Sequence, residues 1–154
     1  AMDMFEAVQK EYSTQDIIIK AAAVGDYRAE NVAEQKIKKQ SDVLKITFVK
    51  NPDILAWLGE HKTHQILCGF AMETENLIAN ASEKLNKKNC DMIVANNLRE
   101  KGAGFACDTN IVTLLQKDNQ ETLEIMSKYE VGIELLKRLA SMLDEKGETN
   151  ASCY

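Results

Sequence analysis

The segment Ile17-Ile18-Ile19-Lys20-Ala21-Ala22-Ala23-Val24 narrows the choice of fold more than any other part of this chain. A strand with one wet face alternates apolar and polar residues, and Asp16 to Val24 does not. It reads as a strand covered on both faces and central to its sheet. Covered faces require helices, and Met4, Phe5, Val8 and Tyr12 recur at helical spacing just before it. Ile66-Leu67-Cys68-Gly69-Phe70-Ala71 and Asp91-Met92-Ile93-Val94-Ala95-Asn96 read as further buried strands. Between them, Glu75 to Asn89 is a helical pattern with Leu77, Ile78, Ala81 and Leu85 on its inner face. Short β-branched runs exchanged with helices are the sequence form of an α/β fold, a mostly parallel sheet flanked by helices.

The remaining segments fit that plan. A helix is expected to start near Asn51-Pro52-Asp53, with Pro52 at the first helical position, where its missing N–H costs little, and Asn51 as cap. Asn110 to Gln116 pairs with Thr122 to Met126 across Lys117-Asp118-Asn119-Gln120, giving a carboxyl-terminal hairpin. Gly102 to Asp108 reads as a loop. The last helix runs from about Ser127 to Leu143 and turns Val131, Leu135, Leu139 and Met142 inward, and the polar tail 145–154 is expected to fray.

A chain of 154 residues with 45% apolar content can bury one substantial core, so residues 1–154 are read as a single domain. Nineteen basic against 24 acidic residues give a net charge of −5, which offers no general attraction to nucleic acid or to an anionic membrane. No apolar run approaches the roughly 20 residues that span a bilayer, and Ala1 to Tyr12 lacks the marks of a signal peptide, so a cytoplasmic protein is expected. Cys68, Cys90, Cys107 and Cys153 form no C-x-x-C pair and read as free thiols. His61 and His64 lack a third ligand nearby, and no metal site is assigned to side chains of this chain.

In an open α/β sheet, ligands bind beyond the carboxyl ends of the parallel strands. Three places qualify: Ala23 to Arg28, Gly69 to Glu75, and Ala95 to Arg99. Ala21-Ala22-Ala23 and Gly25 leave little bulk at the first strand's exit, which suits either close approach of a ligand or tight strand–helix packing. The polar stretch Ala29 to Asp42 has no apolar period and reads as a flap, about 29–50, followed by an extended segment Leu44 to Val49. From Lys36 to Lys50 the flap carries five lysines and one acid, a local +4, suited to a polyphosphate or to a solvated surface. Lys84 and Lys88, four apart, share one side of their helix. Asp26 could accept from a sugar hydroxyl, help hold a metal or cap a turn. There is no G-x-x-x-x-G-K-[ST] loop, no G-x-S-x-G elbow and no G-x-G-x-x-G fingerprint, since Cys107 stands where the third glycine would be.

Six of these segments, in this order, resemble the phosphopantothenate-cysteine ligase family, also called phosphopantothenoylcysteine synthetase, often the carboxyl-terminal part of a bifunctional coenzyme A biosynthesis protein. They are Ala21-Ala22-Ala23-Val24-Gly25-Asp26-Tyr27-Arg28, Lys36-Ile37-Lys38-Lys39, Asn51-Pro52-Asp53-Ile54-Leu55, Gly69-Phe70-Ala71-Met72-Glu73-Thr74, Lys84 with Lys88, and Asp91-Met92-Ile93-Val94-Ala95-Asn96. The resemblance spans about Met4 to Leu143. It implies a Rossmann-like fold and an enzyme that joins 4'-phosphopantothenate to L-cysteine, using CTP and Mg²⁺ to make an acyl-cytidylate. It further implies CTP contacts at Asp26, Lys36, Pro52, Asp53, Ile54, Leu55, Phe70, Lys84 and Lys88, with Lys36 engaging the phosphates from the flap and Phe70 beside the nucleotide. Ala22 and Ala23 fall at small active-site positions, grouped with Lys36 as catalytic, and a homodimer is implied. The family commonly has Ala where this chain has Gly25. It also opens with a glycine-rich strand-loop-helix bearing a functional Asn, and nothing here matches that part. The expectation is therefore a fragment that keeps the CTP half of the site and has little complete ligase activity. The competing expectation is a Rossmann-like module that binds another nucleotide or a flavin without ligase chemistry.

Overall fold

A computed structural model describes residues 1–37, 43–73, 75–97 and 108–151. The order of elements is α1 (Met2–Glu11), β1 (Ile17–Lys20), β2 (Tyr27–Ala29), β3 (Phe48–Lys50), α2 (Ile54–His61), β4 (Ile66–Glu73), α3 (Leu77–Lys87), β5 (Met92–Asn97), β6 (Thr109–Asn110), β7 (Val112–Leu115), β8 (Gln120–Thr122), β9 (Met126–Ser127) and α4 (Lys128–Ala151). The main sheet has the strand order β1-β4-β5-β7-β8. β1, β4 and β5 are parallel, with Ile17 opposite Ile66 and Cys68 opposite Met92. β7 returns antiparallel to β5 and forms the expected hairpin with β8, Leu115 opposite Gln120. The fold is thus mixed α/β with a parallel centre flanked by helices.

Both faces of the sheet are covered because side chains alternate between them. Cys68, Met92, Val94, Val112 and Leu114 point to one face, where Val131, Leu135 and Leu139 of α4 close over them. Leu67 packs on the other face with Ile54, Leu55 and Leu58 of α2, while Ala71, Ile93 and Ala95 meet Ala81 and Leu85 of α3. Met4, Phe5, Val8 and Tyr12 bring α1 onto α2, where Phe5 and Tyr12 both meet the Trp57 ring edge-on. Arg138 fastens α4 to β8 through two hydrogen bonds to Glu121, 2.7 and 2.6 Å, and is itself held within α4 by one of 2.7 Å to Glu134. Ser127 and Glu130 form a reciprocal cap at the start of α4: the Ser127 N–H donates to Glu130 Oε2 at 2.8 Å and the Glu130 N–H donates to Ser127 Oγ at 3.2 Å.

The structure corrects several sequence expectations. β1 ends at Lys20, and among the described residues it pairs with β4 alone, at the sheet's edge and not at its centre. Continuous apolar character reports cover on two faces, here Ile18 toward α1 and α2 and Ile17 toward α4, and carries no information about strands alongside. Ala21, Ala22, Ala23 and Gly25 leave the sheet and are exposed. The cap of α2 is Asp53, whose carboxylate accepts the Ala56 N–H at 2.9 Å, so Pro52 precedes the helix. Asn51 instead donates to the Gly25 carbonyl at 2.7 Å and accepts from Arg28 at 3.1 Å, tying the two ends of the flap together. α4 runs through Ala151, well past the expected end at Leu143. The Gly102 to Cys107 loop, Lys38, Lys39, Arg99 and Cys153 lie outside the described residues.

Of the cysteines, Cys68 and Cys90 are free thiols. Burial pushes Cys68 up to about 12 and Cys90 up to about 11. Among the described residues no helix is long and apolar enough to cross a membrane.

Candidate functional site

At the carboxyl ends of β1 and β4, where the chain leaves the sheet, a cleft of about 370 Å³ opens. Its volume lies in the range of small-molecule sites. Three strand exits and two helices form its walls. The β1 exit contributes Lys20 to Asp26, the segment entering α2 contributes Lys50 to Leu55, β4 contributes Phe70 to Met72, α3 contributes Lys84 and its C-cap Lys88, and β5 contributes Asn96.

Local chemistry fixes each wall. The flap stem is a two-stranded ribbon, with Tyr27 opposite Lys50 and Ala29 opposite Phe48. That pairing, with the Asn51 N–H donating to the Asp26 carbonyl at 2.7 Å, holds Asp26 beside Pro52. The small residues at 21–23 keep the floor low. Gly69 serves the same end beneath it: a Cβ there would lie 2.7 Å from Leu55 Cδ2, so a larger residue would push on a side chain of the cleft wall.

Cations converge on the cleft, and two of them are anchored by specific contacts. Lys84 Nζ donates to the Phe70 carbonyl at 2.8 Å. Lys88 Nζ lies 2.6 Å from Asp53 Oδ2. Burial pushes the Lys20 ammonium down, and the Lys84 charge pushes it further, against the opposing pull of Asp53 and Asp26. Burial pushes the Asp53 carboxyl up, but the Lys88 hydrogen bond, the Ala56 N–H and the charges of Lys88 and Lys20 outweigh it, leaving the group below the ordinary aspartate range. The amino-terminal end of α2 adds backbone N–H groups and a positive dipole end to the same wall. The arrangement can neutralise a multiply charged anion in a partly water-excluded space.

Of the residues singled out in the sequence, Ala22, Ala23, Asp26, Pro52, Asp53, Ile54, Leu55, Phe70, Lys84 and Lys88 all line this cleft. Lys36 does not. It is exposed on the flap beyond the ribbon stem. Met72 and Asn96, within the strand-exit stretches Gly69 to Glu75 and Ala95 to Arg99, line the cleft as well, and so do Lys20, Lys50 and Asn51, to which the sequence reading assigned no individual role at the site. For Lys20 a signal existed, since it is the one charge inside an apolar run and stands next to the small residues.

The fold and the cleft define a class of protein, the open α/β domain with a lysine-lined cleft at the exits of its parallel strands, the place where ligands bind in such sheets. Within that class, residues 1–143 match the DNA/pantothenate metabolism flavoprotein C-terminal domain family, and the chain belongs to it. It is 46% identical over 149 residues to the coenzyme A biosynthesis bifunctional protein CoaBC of Bacillus subtilis, covering 96% of this chain and 37% of that protein. It is 41% identical over 150 residues to the protein of the same name from Escherichia coli K12, covering 95% of this chain and 37% of that protein. The chain therefore spans little more than a third of these relatives' length. A crystal structure of the C-terminal domain of CoaBC superimposes with a TM-score of 0.74 at 41% identity, covering 94% of this chain and 65% of that one.

Proposed function

We propose that this chain carries the CTP-binding part of a phosphopantothenate-cysteine ligase acting in coenzyme A biosynthesis in the cytoplasm. One observation carries the reading. Residues from four separate stretches of sequence, Ala22 to Asp26, Pro52 to Leu55, Phe70, and Lys84 with Lys88, meet in a single cleft at the strand exits.

The chemistry asks for such a place. The carboxylate of 4'-phosphopantothenate must approach the α-phosphate of CTP, two negative groups that repel in water. Lys84, Lys88 and Lys20 lower that repulsion, most strongly where solvent is excluded. A P–O bond then forms as pyrophosphate leaves, and in the second step the amine of L-cysteine attacks the acyl carbon as CMP leaves. Ala22 and Ala23 present backbone without bulk, so the acyl substrate has room beside the nucleotide. Mg²⁺ is bound in such sites through one or two carboxylates and the substrate's own phosphates. Asp26, on the cleft wall, fits that need, whereas both oxygens of Asp53 are engaged, one by the Ala56 N–H and one by Lys88. The metal would supply further charge neutralisation at the phosphates. Tyr27, Leu44, Ile46 and Phe48, apolar and exposed on the ribbon and the segment entering it, support a homodimer.

Calorimetric titration with CTP, ATP and FMN, each with and without Mg²⁺, tests the reading. CTP with Mg²⁺ is expected to bind most tightly. Binding of FMN without binding of CTP would replace the ligase reading with that of a flavin-binding module.

A further inference from the structure

Asn96 is the next-to-last residue of β5, in register with Met72, and both line the cleft. Its side chain is oriented by a chain of hydrogen bonds whose direction can be read from one backbone group. The Ile111 N–H can only donate, so the atom that meets it, 3.0 Å away on Asn110, is the amide oxygen Oδ1. The Asn110 amide nitrogen therefore faces the other way, toward Asn96, at 3.0 Å. A nitrogen donor requires an acceptor, so Asn96 turns its oxygen to Asn110. Asn110 is buried, only 9% exposed, which holds this arrangement in place. What remains for the cleft is Asn96 Nδ2 with two hydrogens, and among the described residues nothing accepts from it.

We propose that Asn96 is a ligand-contacting residue that donates its amide to an oxygen or ring-nitrogen acceptor of the bound nucleotide, and that Asn110 is the positioning residue that keeps the donor side inward. The proposal rests on the CTP reading above and goes beyond it. A half-buried amide donor facing a cleft is held by water when the site is empty, and replacing that water with a fixed acceptor gains affinity only while the amide keeps this orientation.

The experiment is a double-mutant cycle on the chain, read by CTP titration with Mg²⁺, together with ¹⁵N–¹H spectra of the side-chain amides. Asn96→Ala should weaken CTP binding by roughly tenfold, the worth of one hydrogen bond of this kind. Asn110→Ser should weaken it by about threefold alone and leave it unchanged in the Asn96→Ala background, because its effect passes through Asn96. Asn96→Ser replaces the alanine variant if that one does not fold. The Asn96 amide signals, assigned by their loss in the variant, should move as CTP is added. A fall in CTP preference over UTP in the Asn96 variant identifies the cytosine N3, which is an acceptor in cytosine and a donor in uracil; equal losses for both nucleotides identify an oxygen the two share, on the phosphates, the ribose or the O2 carbonyl. Amide signals that stay still at saturating CTP, or an Asn110→Ser loss of the same size in both backgrounds, would overturn the proposal. A wild-type chain that binds no CTP would defeat the nucleotide reading first, before any variant is made, and this inference with it.

Discussion

Lys84→Met separates the charge of the cleft from its shape. Methionine keeps most of the stem that packs on α3 and removes the ammonium that donates to the Phe70 carbonyl at 2.8 Å. A unit charge about 4 Å from a phosphate oxygen is worth roughly 4 kcal/mol at an effective dielectric near 20. The cleft is open on one side, and screening takes away about half of that. Lys20 returns a further part, because the Lys84 charge is one of the causes that depress its ammonium. The remainder, about 1.5 kcal/mol, corresponds to a loss of roughly tenfold or slightly more in CTP affinity. CMP, with one phosphate, should lose far less, and cytidine almost nothing. Calorimetry with the three ligands reads this directly, and a thermal melt accounts for the lost hydrogen bond, worth about 1 kcal/mol or roughly 2–4 °C in a domain of this size. Equal factors for CTP and cytidine would refute the electrostatic role, since a charge cannot act alike on ligands that differ by three phosphates.

Other expectations follow from the same geometry. Lys36→Gln should weaken CTP binding more than CMP binding if the flap brings that lysine to the phosphates; equal losses, or none, would remove Lys36 from the site. Gly59→Ala should destabilise the chain by several kcal/mol in denaturant unfolding, because a Cβ would sit 1.9 Å from the Lys88 carbonyl oxygen and 2.8 Å from its carbon, backbone atoms that cannot turn aside. Asp53→Asn keeps a good helix cap and loses the charge pair with Lys88. Since the Asp53 carboxyl is held below its ordinary range, its stabilisation is present above the unfolded value near 3.9 and is lost as pH falls through the folded one. Wild type should therefore exceed the variant in stability at pH 7 and the two should converge in acid; a gap that persists there would show that the pair is not its source.

The buried elements were legible because their signals are local. β4, β5 and α3 fall within two residues of where the apolar runs and the helical period put them. The hairpin of β7 with β8 is visible in the polar stretch from Lys117, although β8 starts at Gln120, two residues earlier than the sequence places it. What failed depended on partners distant in sequence. Asn51 has the composition of a cap, yet its amide serves Gly25, 26 residues earlier, and the cap passes to Asp53. The run from Ile17 to Val24 changes character at Ala21, where small side chains stop filling a core and start flooring a cleft, and apolar scales treat both uses alike. α4 outlasts its apolar stripe, and polar side chains such as Lys146, 3.5 Å from Asp91, carry it on. The strand-exit rule and the resemblance pick out many residues that line the cleft, but they pass over Lys20 and Asn51 as site residues, and they add Lys36, whose position depends on the path of a flap that carries no periodic pattern.

Helix α2 is joined at two levels to the end of α3, through the adjacent residues Lys88 and Asn89. At its start, α2 is held by the Asp53 contact with Lys88; near its end, the Gly59 carbonyl accepts from the Asn89 side chain at 2.7 Å, and the missing Cβ of Gly59 lets the Lys88 backbone come close. Asn89 pays for this with a left-handed backbone, φ 48°. The two helices are thereby fixed against each other along the length of α2. Among the described residues, the piece that faces this pair across the cleft is the base of the β2–β3 ribbon, at Asp26 and Lys50, so the room left for a guest is set between a doubly fastened wall and a two-stranded one.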